Sequence, residues 1–196
     1  MSETWAIILA AGSSTRMKKQ KLLLPFNGIT IIETVVENAM QVVGNNVMVV
    51  LGANKPEFSA QLTKYEISSC YNENHLDGML TSAICGFQSL PESAKAALVF
   101  LGDQPQIQPA VSKLVIEASE KSEKRIVVPV FQKRRGHPAL IDTRFIPEIE
   151  ILDQNRGLKQ LLEKHPEEIL EVDCTMQEIL RDIDTPEEYI TEINKL

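Results

Sequence analysis

Three stretches of this chain carry the residue types of phosphate and metal chemistry. The first is LAAGSSTRMKKQKLLLP, Leu9 through Pro25, where an apolar run ends in one glycine and small hydroxylated residues. Four cations follow within six positions: Arg16, Lys18, Lys19 and Lys21. Gly12 can take a φ its neighbours cannot and lets backbone N–H groups approach an anion closely. Ser13 and Ser14 add hydroxyl donors, Arg16 a planar fork and Lys21 a point charge. The second feature is a set of acids next to apolar runs. Asp103 follows AALVFLG and precedes Pro105, and Asp184 follows EILRDI and precedes Thr185. Asp182, two residues earlier, rivals Asp184 on the same side of an extended chain. Mg²⁺ takes one or two carboxylates and completes its shell with substrate oxygens and water. The third is the cluster Lys133, Arg134 and Arg135 before Gly136-His137-Pro138, a basic lip that would attract an anionic ligand.

Each of these has a plainer alternative when read alone. The first stretch fits a phosphate loop and a solvated basic turn equally, and it is neither G-x-x-x-x-G-K-[ST] nor G-x-G-x-x-G. Gly-Asp-Gln-Pro is common in turns. Asp184 would be favourable near a helix N-terminus for electrostatic reasons alone. The basic cluster fits a solvated hairpin tip, and His137 fits a structural turn. His75 and His165 read as surface residues. No Ser, His or Asp arrangement resembles an activated nucleophile.

The elements that must hold these residues alternate. Residues 4–10, 46–53, 66–71, 96–102 and 125–131 are short aliphatic runs with little in/out alternation, as in strands buried on both faces. Helical spacing of apolar residues marks 29–43, 79–90 and 110–121. Strands alternating with such helices build βαβ units and a mostly parallel sheet, whose ligands bind beyond the carboxyl ends of the strands. After residue 131 a hairpin or inserted ribbon is expected, then a helix with Leu158, Leu161 and Leu162 on one face. Two further strand candidates follow, ILEVDC and EILRDI. The last helix opens with Thr185, Pro186 and Glu188, a capping box. Asn54, past the second run, is another polar group at a strand end.

The totals fit one soluble domain over residues 1–196. A net charge of −7 argues against nucleic acid as a partner, and 43% of the residues are hydrophobic. The three cysteines, Cys70, Cys85 and Cys174, form no C-x-x-C pair and read as buried free thiols in a reducing compartment. The opening apolar stretch is too short for a signal peptide and no run approaches a membrane span, so a cytoplasmic location without membrane contact is expected.

The stretch LAAGSSTRMKKQKLLLP closely resembles the signature of the MobA-like nucleotidyltransferases, in particular their molybdenum-cofactor cytidylyltransferases. GMLTSAICG, LGDQP, RGHPAL, RGLKQLL and DIDTPEEY resemble later blocks of that family, in order, across nearly the whole chain. Many relatives have glycine where this chain has Lys18. The resemblance implies a three-layer, Rossmann-like α/β fold of the nucleotide-diphospho-sugar transferase type, its sheet mostly parallel with an antiparallel C-terminal part. It also implies a nucleoside triphosphate over the first loop, attack of an acceptor phosphate on the α-phosphorus, and release of pyrophosphate. Leu9, Ala10, Ala11, Gly12, Ser13, Arg16 and Lys21 would then hold the nucleotide, with Arg16, Lys21 and Asp103 as catalytic groups. Asp103 and Asp184 would bind Mg²⁺. Gly78, Met79 and Ser82 would lie beside the base, and Asn54 would face the base or ribose. Arg135 and His137 would meet the acceptor, an anionic molybdopterin-type cofactor, with His137 donating a hydrogen bond. Ala-Ala-Gly in the loop points to CTP, where guanylyltransferases tend to have Ala-Gly-Gly. Guanylyl transfer to the same acceptor, or nucleotidyl transfer to a sugar phosphate, is the alternative within the class. A non-catalytic module delivering cofactor to a molybdenum-dependent dehydrogenase is the alternative outside it.

Overall fold

The five apolar runs become strands of one sheet. In the computed structural model, which describes residues 3–12, 17, 20–52 and 55–195, the chain begins with β1 (Thr4–Ala10), β2 (Pro25–Phe26), β3 (Ile29–Thr30), α1 (Ile31–Val43) and β4 (Val47–Leu51). It continues with α2 (Lys55–Leu62), β5 (Ser68–Tyr71), α3 (Met79–Gln88), β6 (Ala96–Leu101), α4 (Pro109–Glu120) and β7 (Ile126–Phe131). The last third holds β8 (Arg134–Arg135), β9 (Ala139–Asp142), α5 (Ile146–Ile149), α6 (Lys159–Lys164), β10 (Ile169–Asp173) and α7 (Pro186–Ile193).

The main sheet runs β10-β7-β9-β6-β1-β4-β5, with β8 also paired to β7. β1 is parallel to both β4 and β6, in register Ile8↔Val49 and Ile8↔Phe100. β9 is antiparallel to β6 and β7, while β10 is parallel to β7. This is the mostly parallel sheet with an antiparallel part that the sequence implied. Every strand of the parallel set therefore ends at one edge, and chain order reverses direction between β1 and β6. Such a reversal opens a crevice beyond the strand ends.

Alternation along β1 sorts the side chains into two cores. Ala6, Ile8 and Ala10 pack with Ile32, Val36 and Val115 of α1 and α4. Ile7 packs on the opposite side with Leu80, Ala83 and Phe87 of α3 and with Ile149 and Leu161. Each fully buried aliphatic side chain contributes roughly 1.5–3 kcal/mol. Gly86 lets α3 lie close to the sheet, because a Cβ there would meet Ile7 Cγ2 at 2.5 Å. That overpacking would cost about 1–3 kcal/mol.

Several local expectations need correction. Residues 29 and 30 pair with β2 as a small hairpin, and helix α1 starts only at Ile31, with Thr30 and Glu33 forming a capping box. α2 was not legible, since Phe58 and Leu62 are its only core-facing apolar side chains. EILRDI is not a strand: residues Gln177–Leu180 form a 3₁₀ turn. Its backbone serves loops instead of a ladder, with Ile179 O accepting from His137 N and Ile183 N donating to Asp103 O at 3.1 Å. His165 is half-buried against Phe145, with Nε2 2.7 Å from Glu148 Oε2, so it is no loose surface group. Cys70 and Cys85 are half-buried, whereas Cys174 is buried. Among the described residues no helix is long and apolar enough to cross a membrane.

Candidate active site

The crevice between β1 and β6 is built by short-range devices at each strand end. Gly102 N donates to Leu9 O at 3.0 Å, which draws the Asp103 turn against the end of β1. Ile183 is fully buried, and its N–H on Asp103 O anchors the following Asp184 beside that turn. The capping box of α7 completes the placement. Glu188 Oε2 accepts from the backbone N of both Asp184 and Thr185 at 2.8 Å. Lys21 enters from the opposite side on a 3₁₀ turn whose Leu22 is sunk in the core.

These anchors bring one cation and two acids together. Lys21 Nζ lies 2.6 Å from Asp103 Oδ2 and 2.8 Å from Asp184 Oδ1, across 82 and 163 residues of chain. Burial pulls the Lys21 pKa down, but Asp103 and then Asp184 outweigh it, and the ammonium is held above its usual range. Asp182 faces the same cleft and accepts from Gln104 Nε2 at 2.7 Å. Burial first, and then the Asp103 charge, raise its carboxyl above the usual range. Three carboxylates thus face a single described ammonium, and the cluster is left net negative.

The cluster forms one side of a cavity of about 500 Å³, well suited to a small-molecule ligand. Of the residues expected at a nucleotide, Leu9, Ala11, Gly12, Lys21, Gly78, Met79 and Ser82 line it. Ala10 does not, because alternation turns its side chain into the core under α1. Gly12 has no positive φ, and among the described residues nothing stands within 4 Å of where its Cβ would be. Gly78 does need its freedom: at φ 110° it starts α3 with no side-chain cap, leaving that helix's first N–H groups beside the cavity. Ser82 is buried and accepts from Asn72 Nδ2 at 3.0 Å. Ser13, Arg16 and Asn54 lie outside the described residues.

Arg135 and His137 open instead on a second cavity of about 580 Å³, which shares Leu9, Met79 and Leu101 with the first. Apolar Leu80, Ala83, Val99 and Ile141 line it, and Arg156 and Lys159 stand with Arg135 among its cations. Arg135 is exposed and its Nε donates to Glu171 Oε1 at 2.8 Å. His137 departs from its expected role as a donor. Its Nδ1 faces the Val99 carbonyl at 3.2 Å, so that nitrogen carries the hydrogen. Burial pushes its pKa down, although Val99, Asp182 and Asp103 oppose this. In the neutral ring Nε2 is then an acceptor.

Sequence reasoning missed four contributors. His75, read as a surface residue, lines the first cavity with Nδ1 3.2 Å from Asn72 O. Gln104 is buried and positions Asp182. Arg156 and Lys159 sit in RGLKQLL, a segment singled out for likeness but given no role.

The residues present fit a divalent ion. Two carboxylate oxygens from distant segments already converge on one cation, the donor number Mg²⁺ prefers from protein. Among the described residues no group of three or more His, Cys, Asp or Glu is placed to hold a metal ion, this cluster included, so an ion here would complete its shell with substrate oxygens and water.

Residues 6–169 match the MobA-like NTP transferase domain. The chain belongs to that family. It is accordingly a nucleotidyltransferase, of a kind that typically uses a divalent metal. Its relatives include the nicotine blue oxidoreductase of Paenarthrobacter nicotinovorans, 27% identical over 93% of this chain and 92% of that one. They also include the molybdenum cofactor cytidylyltransferase of Escherichia coli (strain K12), 24% identical over 97% and 96%. A solved structure of Rv0371c from Mycobacterium tuberculosis H37Rv superposes with a TM-score of 0.83 at 24% identity, covering 97% of each chain. The same protein in complex with manganese gives 0.80 at 22% identity over 100% of both. These structural likenesses confirm the nucleotide-diphospho-sugar transferase type of fold.

Proposed function

We propose that this chain is a single-domain, cytoplasmic, Mg²⁺-dependent cytidylyltransferase that joins CMP from CTP to a molybdopterin-type phosphate and releases pyrophosphate. One observation carries the reading: Lys21, Asp103 and Asp184 converge at the mouth of one cavity, and a second cavity with basic residues shares its wall.

Nucleotidyl transfer gathers negative charge on the α-phosphate and on departing pyrophosphate, so positioning and charge neutralisation dominate the chemistry. Asp103 and Asp184 would hold Mg²⁺, which supplies part of that neutralisation when bound. Lys21 supplies a fixed ammonium that stays protonated at neutral pH, and Arg16 is assigned the same task by family likeness. The first turn of α3, with Gly78, Met79 and Ser82, offers backbone donors and small side chains to a pyrimidine edge, and Asn54 is assigned to the base or ribose. The acceptor phosphate is ionised at neutral pH and needs no general base, which agrees with the lack of a nucleophile–base pair in the sequence. In the second cavity apolar walls would hold a flat heterocycle, while Arg135, Arg156 and Lys159 attract its anionic group. His137 Nε2 would accept a hydrogen bond from it.

The Ala10-Ala11-Gly12 sequence favours CTP over GTP, while the relatives include both a molybdenum cofactor cytidylyltransferase and probable molybdenum cofactor guanylyltransferases. The oxidoreductase among the relatives raises a competing reading. Redox chemistry does not call for paired carboxylates around a cation, and the Lys21 cluster therefore favours nucleotidyl transfer. The test is incubation of the protein with Mg²⁺, molybdopterin-type acceptor and each of CTP, GTP, ATP and UTP, with parallel arms for sugar phosphate and for nicotinamide consumption. Pyrophosphate release with CTP and the pterin is expected. Release with GTP alone would reassign the base, and nicotinamide consumption without pyrophosphate would overturn the reading.

A further inference from the structure

Cys70 lies in β5, the edge strand of the sheet, and Cys85 lies in the middle of α3. Nothing in their spacing announces a pair, yet packing of α3 across β4 and β5 brings them together. Their sulfurs are 3.3 Å apart, and Cys70 Sγ is 3.8 Å from Cys85 O. Both side chains are only half-buried, so small reagents can reach them. Cys174 is separate, with its Sγ directed to Met176 O. Burial, and then the Cys70 thiol, push the pKa of Cys85 up, which slows that thiol's own reaction with an oxidant. The same seam carries a polar tie: Asn72 Nδ2 donates to Thr81 Oγ1 at 2.8 Å and to Ser82 Oγ at 3.0 Å. Ser82 and Met79, on the helix that holds Cys85, line the first cavity.

We propose that Cys70 and Cys85 form a reversible dithiol–disulfide site that fastens β5 to α3 behind the wall of the first cavity. A disulfide needs its sulfurs about 2.05 Å apart, so a closure of little more than an ångström suffices. The oxidant is a peroxide. The Cys70 sulfur attacks one peroxide oxygen, the O–O bond breaks, and a sulfenic acid forms with release of water. The Cys85 sulfur then attacks the Cys70 sulfur, the S–O bond breaks, and the departing hydroxide leaves as water with the thiol proton. Two thiols and one hydrogen peroxide thus give one disulfide and two waters. A small dithiol reverses the change by exchange. The bond closes a short loop of the unfolded chain, which is expected to raise the melting temperature by about 6–12 °C. None of this depends on which reaction the cavity catalyses.

The experiment is intact-mass and peptide analysis of the folded protein after stoichiometric hydrogen peroxide, with and without later dithiothreitol. The tryptic peptide spanning 65–95 contains both cysteines and is expected to lose the mass of two hydrogens and to recover it on reduction. The oxidised protein is expected to melt higher than the reduced one. Cys174→Ser should behave as wild type. Cys70→Ser should not show the loss, with Cys85→Ala as the control if that variant folds poorly. Oxygen added to separate cysteines, covalent dimers, or an oxidised form that melts no higher would overturn the proposal.

Discussion

The two cavities share Leu9, Met79 and Leu101 but are made of opposite materials. The first is organised by ions drawn from distant segments, with Lys21 fixed between Asp103 and Asp184. The second is an apolar slot whose cations are exposed, on β8, at the start of α6 and in the turn before it, where Arg135 is paired outward to Glu171 and Arg156 to Glu163. Partly buried charges act strongly and in one geometry, whereas exposed ones are screened and mobile. The first cavity is thus suited to a step in which charge must be met at fixed points. The second is suited to capture of a ligand by shape and overall sign.

Substitutions should separate the two regions in that order of size. Asp103→Asn removes a charge from the cation seat while keeping its shape. Turnover is expected to fall at least ~100-fold with CTP binding largely kept, the scale on which lost electrostatic stabilisation shows. Steady-state kinetics beside equilibrium CTP titration checks this, and a parallel loss of both would assign Asp103 to ground-state binding. Arg156→Ala touches only the second cavity. The acceptor KM is expected to rise by about tenfold with the CTP KM unchanged. An equal effect on CTP would merge the two sites into one.

The smallest effect expected is on stability, at Asp182. Burial and the Asp103 charge hold its folded pKa above the unfolded value, so over that window the folded protein binds more protons than the unfolded chain. Stability then falls as pH rises through the folded value. Asp182→Asn keeps an acceptor for Gln104 and removes the repulsion. The melting temperature at neutral pH is expected to rise by about 2–4 °C, and the gain should vanish as pH falls toward about 4. A melting temperature lowered by the substitution would mean that the Asp182 charge is stabilising where it stands.

Legibility in the sequence followed the range of the forces involved. β1, β6 and the acid after β6 were readable because doubly buried strands must be aliphatic and chemistry sits at their ends. The cap at Thr185 was readable because it is local, and it is the same device that fixes Asp184. α2 was hidden by having only Phe58 and Leu62 to bury. The 3₁₀ turn at Gln177–Leu180 was hidden because its apolar residues answer to loops far away in sequence. The role of His137 depends on the Val99 carbonyl, 38 residues earlier, and the meeting of Cys70 with Cys85 depends on how α3 packs on the sheet. None of these contacts leaves a periodic trace.

Manganese binding, followed by electron paramagnetic resonance during titration of the protein with and without CTP, tests the cation seat most directly. Wild type with CTP is expected to bind the ion at one site, and Asp103→Asn to bind it at least about tenfold more weakly. Equal affinity in the two proteins would place the ion elsewhere and remove the basis for assigning Lys21, Asp103 and Asp184 to nucleotidyl transfer.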